Sequence, residues 1–572
     1  MSATTRDLRR VAAETFGWQE LRPEQLTAME AVAAGRDVLA VLPTGAGKSA
    51  IYQVPAVLQE GPTLIVSPLV ALQRDQRTGI AERADGEDAP EAVVINSVQR
   101  AEENRRAWEV VDEGGAAYVF LAPEQLARAD VVERLRHAAI GLFVIDEAHC
   151  VSQWGHDFRP DYLRLGHVIA QLGKPPVLAL TATAAPPVRA DVLDRLGLAD
   201  PVEVIGSFDR PNLHLAAALH VDEDQRRAAV VDRAAALAEE NRGRGLVYCA
   251  ARAETGRLAE ALRSRGIAAE AYHAGLGRAR REAVHDRFSS GATTVVVATS
   301  AFGMGIDQPD VRFVLHAASP GSLDDYYQQV GRAGRDGEPA VVELHHHARD
   351  SAVARFLSAR RPKPDSLRAA LDAVANRARS LPDVVRASGL SRVRATTALN
   401  LLEQAGAVVT DEDGVLHRTE IDADAAVKEA VDQAEGRREV IVSRVERMRL
   451  YAETTDCRRR MLLGYFGEQH PQRCGRCDNC DDGTADDVEA PAGDIDTDID
   501  TDAGRAVVHP KFGDGVVMAE DDDRVTVFFH EYGYRDLATE AVRERNLLRP
   551  ADADEPSTDH VGDDGRGEHN EG

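Results

Sequence analysis

From residue 36 to about residue 205, short apolar runs alternate with longer stretches in which apolar residues recur every three or four positions. The runs DVLAVLP, TLIVSP, AVVIN, AYVFLAP, LFVIDEA and VLALTAT read as strands, and the stretches between them as amphipathic helices. Strands alternating with helices predict a parallel sheet in an α/β lobe. A second series, GLVYCA, AEAYHAG, TTVVVATS, RFVLHAA and AVVELHH, is separated by helical segments such as AETGRLAEALRSRG and predicts a second parallel-sheet lobe. The two lobes are placed at 1–206 and 207–348.

Beyond residue 348 the pattern changes. SLRAALDAVANRA, LPDVVRASGLSRVRATTALNLLEQAG and AVVTDEDGVLHR read as three helices and a hairpin turning at Asp413-Gly414, which predicts a winged-helix-like domain over 349–425. Residues 426–480 read as a long helix, a shorter helix beginning near Cys457 and a cysteine knuckle. An acidic stretch, 481–502, leads to AVVHPKFGDGVVMAEDDDRVTVFFHEYGY, whose short strands and turns predict a small β-barrel over 503–550. Residues 551–572 form an acidic tail.

The length, 572 residues, suits three to five domains. A net charge of -27 opposes binding to phosphates, but 481–502 and 551–572 supply -10 and -7 of it, leaving -10 on the other 528 residues. Runs such as DIDTDIDTDAG bury too little apolar surface to fold and read as a linker and a disordered tail. No apolar signal-type segment opens the chain, and no stretch approaches the roughly 18 uninterrupted apolar residues of a membrane span. The expectation is a soluble, cytoplasmic, nucleoid-associated protein without membrane contact.

The segment from Val38 to Ser49 runs from an apolar strand through a glycine turn, Thr44-Gly45-Ala46-Gly47-Lys48-Ser49, into a helix. Backbone N–H groups at such a turn cradle phosphates, Lys48 reaches the β and γ oxygens, and Ser49 is placed to hold Mg²⁺. The strict pattern has glycine where this chain has Leu42. Asp146, at the end of the strand LFVI, is the second Mg²⁺ candidate, and Glu147 is placed to polarise the attacking water. Thr181-Ala182-Thr183 follows the strand VLAL, and Gln328 through Arg335 closes the second lobe. Arg332 and Arg335 are candidates to neutralise charge on the γ-phosphate, with Gln328 beside them, so hydrolysis of ATP requires the lobes to close on each other.

With these motifs on the chain, residues 14–340 resemble the RecQ family of superfamily 2 helicases. The resemblance rests on Phe16-Gly17, Leu21-Arg22-Pro23-Glu24-Gln25, the box Asp146-Glu147-Ala148-His149, and the aromatic loop from Ser152 to Pro160. Ala301 through Asp307 and Tyr326-Tyr327-Gln328 extend it. It implies two RecA-like lobes, adenine recognition by Gln25 with Arg22 nearby, and coupling of single-stranded DNA to the ATP site through Trp154, His156, Phe158 and Arg159. Rings and guanidinium planes suit that role, since bases stack on them. Gln329 departs from the family, which often has Glu there.

Cys457 followed by Cys474, Cys477 and Cys480 provides four thiolates in a short span, a set that closes a tetrahedral structural Zn²⁺ site. Cys150 and Cys249 lie apart from it in apolar runs. Arg458, Arg459, Arg460 and Arg476 are candidates for phosphate contacts. The context CRRRMLLGYFGE also resembles RecQ, but here the winged-helix candidate precedes the zinc module and no HRDC-type domain is visible. Residues 506–549 resemble the Tudor-like C-terminal domain of UvrD/PcrA-type helicases, which implies a partner such as RNA polymerase, or DNA. The resemblance as a whole implies 3′-to-5′ movement on single-stranded DNA and unwinding of forked duplexes in repair or recombination. A translocase with weak unwinding, a DNA-binding regulator with a decayed motor, and an RNA helicase stay open as alternatives.

Overall fold

The computed structural model describes residues 3–551 except 69, 84–89, 97–98, 153, 155–158, 242, 304–307, 352–361, 377–379, 412–414, 471–472, 488–503 and 521–523. Seven strands make one parallel sheet: β1 (Val38–Val41), β2 (Thr63–Val66), β3 (Glu91–Ile95), β4 (Ala116–Leu121), β5 (Leu142–Ile145), β6 (Val177–Thr181) and β7 (Val202–Ile205). Their order is β3-β4-β2-β5-β6-β1-β7. Every residue of β1, β2, β5 and β6 is buried, as expected of central strands with helices on both faces. The carboxyl ends of β5, β6 and β1 lie side by side, with Ile145 opposite Ala179 and Thr181 opposite Val41. Ligands of open α/β sheets bind outside such ends.

A second parallel sheet holds β8 (Leu213–His220), β9 (Arg244–Tyr248), β10 (Ala269–Tyr272), β11 (Val295–Ala298), β12 (Val311–His316) and β13 (Ala340–His347), ordered β10-β11-β9-β12-β13-β8. The two α/β lobes expected from the apolar runs are present. β7 and β8 are additional strands. Both lie at sheet edges, and their half-exposed sequences VEVI and LHLAAALH show no continuous apolar run.

Inside the second lobe, His316 is fully buried between the rings of Tyr248 and Tyr326. Burial pushes its pKa down from 6.5 to about 3, against a smaller upward pull from the Gln329 side chain. The folded state therefore keeps His316 neutral while the unfolded chain takes up a proton below pH 6.5. Its contribution to stability is intact above 6.5 and falls by about 1.4 kcal/mol per pH unit as pH drops toward 3. Chemical denaturation of His316→Asn is expected to show about 2 kcal/mol less loss than wild type between pH 7 and pH 5. Equal losses in the two proteins would remove His316 as the acid-sensitive group.

After the lobes come helices Pro364–Ala375, Leu381–Ser388 and Arg392–Gln404, then an antiparallel pair, β14 (Val408–Thr410) and β15 (Leu416–Arg418). Ser380 and Ser391 cap the second and third helices through backbone N–H groups of Asp383 and Arg394. Leu367, Leu371, Val384, Leu399, Leu402 and Leu416 form a separate small core. The expected Asp413-Gly414 turn lies outside the described residues.

A 31-residue helix, Ala423–Glu453, starts where the Asp422 side chain accepts from the N–H groups of Asp424 and Ala425. Its first turns bury Ala426 and Ala430 in the three-helix core, and its later turns bury Val440, Met448 and Tyr451 in the core of the lobes. It is therefore a strut between the two. Helix Arg458–Tyr465 and the cysteine knuckle follow.

The first residues of the acidic stretch, 481–487, continue the knuckle, and Ala485 is fully buried. The rest of the expected linker, and the tail from 552, lie outside the described residues. Five antiparallel strands close the chain: β16 (Ala506–His509), β17 (Gly513–Glu520), β18 (Arg524–Phe529), β19 (Gly533–Ala538) and β20 (Arg549–Pro550), ordered β19-β18-β17-β16-β20. Among the described residues no helix is long and apolar enough to cross a membrane.

Candidate active site

The glycine turn follows β1, with Gly45 at φ +84° and Gly47 at φ +70°. A Cβ on Gly47 would also lie 2.5 Å from Gln25 Nε2, so glycine is required there on both counts. Gln25 donates to the carbonyls of Ala46 and Gly47 at 2.9 and 3.0 Å and accepts from the Arg22 N–H at 2.9 Å. Gln25 and Arg22 are thus tied to the phosphate loop. Lys48 Nζ donates to Leu42 O at 3.0 Å, and the Ser49 backbone is helical at the start of helix Ala50–Ala56.

Beside this loop, the end of β5 presents Asp146 and Glu147. Asp146 is 8% exposed, and burial followed by the Glu147 carboxylate pushes it up to about 7, with Lys48 pulling the other way. Burial in turn holds the Lys48 pKa down, and Glu147 and Asp146 oppose that. A carboxylate so costly to ionise fits a divalent cation, and with Ser49 it is the residue that would hold Mg²⁺. Glu147 sits in the left-handed region at φ 52°, a strained backbone for a non-glycine residue. Its carboxylate is 3.4 Å from His149 Nδ1, which lies 2.9 Å from Thr181 Oγ1 at the end of β6. The acidic box and Thr181 therefore share one polar network, and Lys48 of the phosphate loop lies near enough to feel the charges of Asp146 and Glu147.

The second lobe supplies the opposite wall. Helix Leu323–Val330 carries Gln328, whose Nε2 donates to Thr183 Oγ1 across the lobes at 3.4 Å. The Arg335 side chain lies 3.6 Å from where a Cβ on Gly45 would stand. A cleft of about 320 Å³ runs between the lobes, with Arg22, Gln25, Thr44 and Ala46 on one side and Arg335 on the other. Arg332 is near enough for its charge to act on Lys48.

Arg210 and Asn212, which were not singled out from the sequence, hold this wall in place. Arg210 donates to the carbonyls of Ala333 and Gly334, and Asn212 to those of Gly334 and Glu338. The signal available was the run Asp-Arg-Pro-Asn at the lobe boundary.

In the aromatic loop, the Trp154 N–H donates to Ser152 Oγ, and Ser152 donates to Asp191 at 2.6 Å. Arg159 donates to Pro68 O at 3.2 Å, and the Tyr162 hydroxyl to the carbonyl of Asp146 at 3.2 Å. The loop is thereby anchored to the backbone of the acidic box. His156 and Phe158 lie outside the described residues, as do Met304 to Asp307.

The sulfur atoms of Cys457, Cys474, Cys477 and Cys480 all lie within 4.8 Å of one another, with Cys474 and Cys480 3.9 Å apart. Zn–S bonds of about 2.3 Å place sulfurs about 3.8 Å apart in a tetrahedron, so the donor set fits zinc. Two of the arginines expected to face phosphates do not. Arg458 and Arg459 are 4% and 5% exposed, paired with Asp478 and Asp209, because the short helix turns them inward to tie the knuckle to the second lobe. Arg460 pairs with Asp456.

Three family models match along the chain: DEAD/DEAH box helicase over 22–191, helicase conserved C-terminal domain over 228–337, and RecQ zinc-binding over 412–481. The "Probable ATP-dependent DNA helicase RecS" of Bacillus subtilis is 34% identical over 478 residues, covering 83% of this chain and 92% of that protein. The "ATP-dependent DNA helicase RecQ" of Pasteurella multocida is 34% identical over 465 residues, covering 81% of this chain. The matched region spans 61% of that longer protein. A crystal structure of the DUF1998 helicase MrfA bound to DNA superposes with a TM-score of 0.51 at 18% identity, covering 73% of this chain and 63% of that one, a likeness of fold. A phosphate loop facing an arginine across two parallel-sheet lobes, a four-cysteine cluster, and a 34% match to nearly the whole of a RecQ-type relative converge on one assignment: the chain belongs to the RecQ family of ATP-dependent DNA helicases.

Proposed function

We propose that the chain hydrolyses ATP in the cleft between its lobes and uses the opening and closing of that cleft to move 3′ to 5′ along single-stranded DNA. The movement unwinds tailed or forked duplex during repair or recombination in the nucleoid. The observation that carries the reading is the shared cleft, in which the phosphate loop belongs to one lobe and Arg335 to the other.

In this reading Gln25 and Arg22 recognise adenine, the turn from Thr44 to Ser49 binds phosphates, and Lys48 neutralises their charge. Mg²⁺, when bound at Ser49 and Asp146, supplies further positive charge to the phosphates. Glu147 takes the proton of the attacking water, and Gln328, Arg332 and Arg335 stabilise the transferring group from the second lobe. Trp154 and Arg159, with His156 and Phe158, contact single-stranded DNA. Zinc on the four cysteines holds the knuckle against the second lobe. Residues 349–425 act as a winged helix, and 503–550 as a Tudor-like barrel that takes a protein partner such as RNA polymerase.

A second reading, a translocase that separates strands poorly, draws support from the position of the three-helix unit, which precedes the zinc module. Hydrolysis with and without single-stranded DNA, measured beside displacement of a strand from a 3′-tailed duplex, tests both. Wild type is expected to be stimulated and to displace the strand, and Glu147→Gln to do neither. Stimulation without displacement would leave the translocase, and hydrolysis unaffected by DNA would overturn the motor reading.

A further inference from the structure

Strand β18 alternates strictly. Val525, Val527 and Phe529 point into the C-terminal sheet's own core with Val507, Val517, Val542 and Leu548. Phe528 therefore points outward, as does its cross-strand partner Tyr534. On an independent tethered module these rings would be exposed. Instead Phe528 and Tyr534 are 1% and 5% exposed and, with Met518, belong to the core of the lobes. The sheet is also fixed to the strut helix, where Arg447 bonds Asp536 at 2.5 Å, Asp536 accepts from Thr526 at 2.6 Å, and Arg535 pairs with Glu439 at 3.3 Å.

What the outward face touches is specific. Trp154, in the aromatic loop after the acidic box, meets Phe528 edge-on at 5.9 Å between centroids, with ring planes at 71°. It also lies parallel to the exposed His530, at 5.9 Å and 13°. From Phe528 ring contacts continue through Tyr534 at 5.0 Å to Tyr465 of the zinc module at 5.3 Å. The Tyr465 hydroxyl donates to Asp324 at 2.5 Å, on the helix that carries Gln328. The neighbouring Phe466 stacks on Phe208 at 4.5 Å and meets Tyr327 at 4.9 Å. Two elements on different lobes, the aromatic loop and the helix leading to Arg332 and Arg335, are thus joined by packed rings that pass through the C-terminal sheet.

We propose that the C-terminal sheet is a working part of the motor, in which Phe528 and His530 are positioning residues that hold Trp154 in the orientation through which single-stranded nucleic acid stimulates hydrolysis. The inference rests on the proposed function above, in which Trp154 meets the strand. Aromatic pairs have preferred geometries, so two rings whose planes are inclined at 57° to each other, one edge-on and one parallel to the indole, define the tryptophan plane better than one. His530 is exposed, so replacing it leaves the sheet's core intact.

The test uses the full-length chain and a thymidine oligonucleotide, comparing wild type with His530→Ala, His530→Phe and the pair Trp154→Ala/His530→Ala. His530→Ala is expected to keep the DNA-independent rate and to lose stimulation by roughly 2- to 30-fold, the range for a residue that couples two sites. His530→Phe, which keeps a ring on Trp154, is expected to restore it. In the Trp154→Ala background the His530 substitution is expected to add no further loss, since contacting residues are not additive. Wild-type stimulation retained in His530→Ala, a rise in DNA-independent hydrolysis, or losses that simply multiply would each overturn the inference while the proposed function stands. A wild type that the oligonucleotide does not stimulate would overturn both.

Discussion

Arg335→Ala is expected to lower DNA-stimulated ATP hydrolysis by about 10³- to 10⁵-fold, the effect of removing an arginine that neutralises charge on a transferring phosphoryl group. The side chain stands beside Gly45 of the phosphate loop but comes from the other lobe, so in the proposed mechanism its charge would reach a nucleotide only when the lobes meet. Arg210 and Asn212 hold the backbone around Gly334, so the loop has little freedom to bring a substitute into place. The loss should fall on turnover more than on nucleotide affinity, because the charge to be stabilised develops in the transition state. Arg335→Lys should recover only part of the rate, since an ammonium group lacks the planar fork of guanidinium. Steady-state hydrolysis, with a fluorescent nucleotide titration for affinity, separates the two effects. A rate within tenfold of wild type would move the role to Arg332.

Cys477→Ser is expected to release the zinc and unfold the segment from Arg458 to Asp487. Zinc binding to four-ligand sites is worth about 10 to 16 kcal/mol in peptide models, comparable with the whole stability of a typical domain. Cys477 is fully buried and forms a bridge with Leu215 on β8. Around it Asp478 accepts from the Ala217 N–H, Arg459 pairs with Asp209, and Glu468 accepts from Ser207 and the Phe208 N–H. Loss of the metal should therefore loosen the edge of the second lobe as well, and a chelator should reproduce the effect in wild type. Metal content, thermal melting and limited proteolysis measure it. A serine variant that keeps one zinc per chain and melts like wild type would remove the cluster as a structural centre.

Much of the site was legible in the order of residues because its parts are local. A phosphate loop is a strand, a glycine turn and a helix within a dozen positions, and Gly45 and Gly47 adopt the left-handed backbone that their motif implies. The acidic box ends a strand in the same way, and three of the four cysteines fall within seven positions. Less legible were residues whose role is set by partners distant in the chain. Arg458 and Arg459 read from the sequence as candidates for phosphate contacts, yet the Asp209 carboxylate and the Leu213 carbonyl, both more than 200 residues from Arg459, make that side chain a tie between modules. Edge strands β7 and β8 lacked the apolar continuity that burial on both faces produces.

The chain's own pattern determined two parallel-sheet lobes, the phosphate loop, the acidic box and the zinc cluster, since short-range periodicity and spacing suffice for each. Only the tertiary structure decided that Arg335 faces Gly45, that Arg210 and Asn212 hold the second lobe's wall, and that the C-terminal sheet packs Phe528 against Trp154. Those contacts join positions more than 100 residues apart, and the outward direction of Phe528 acquires a meaning only once another surface covers it.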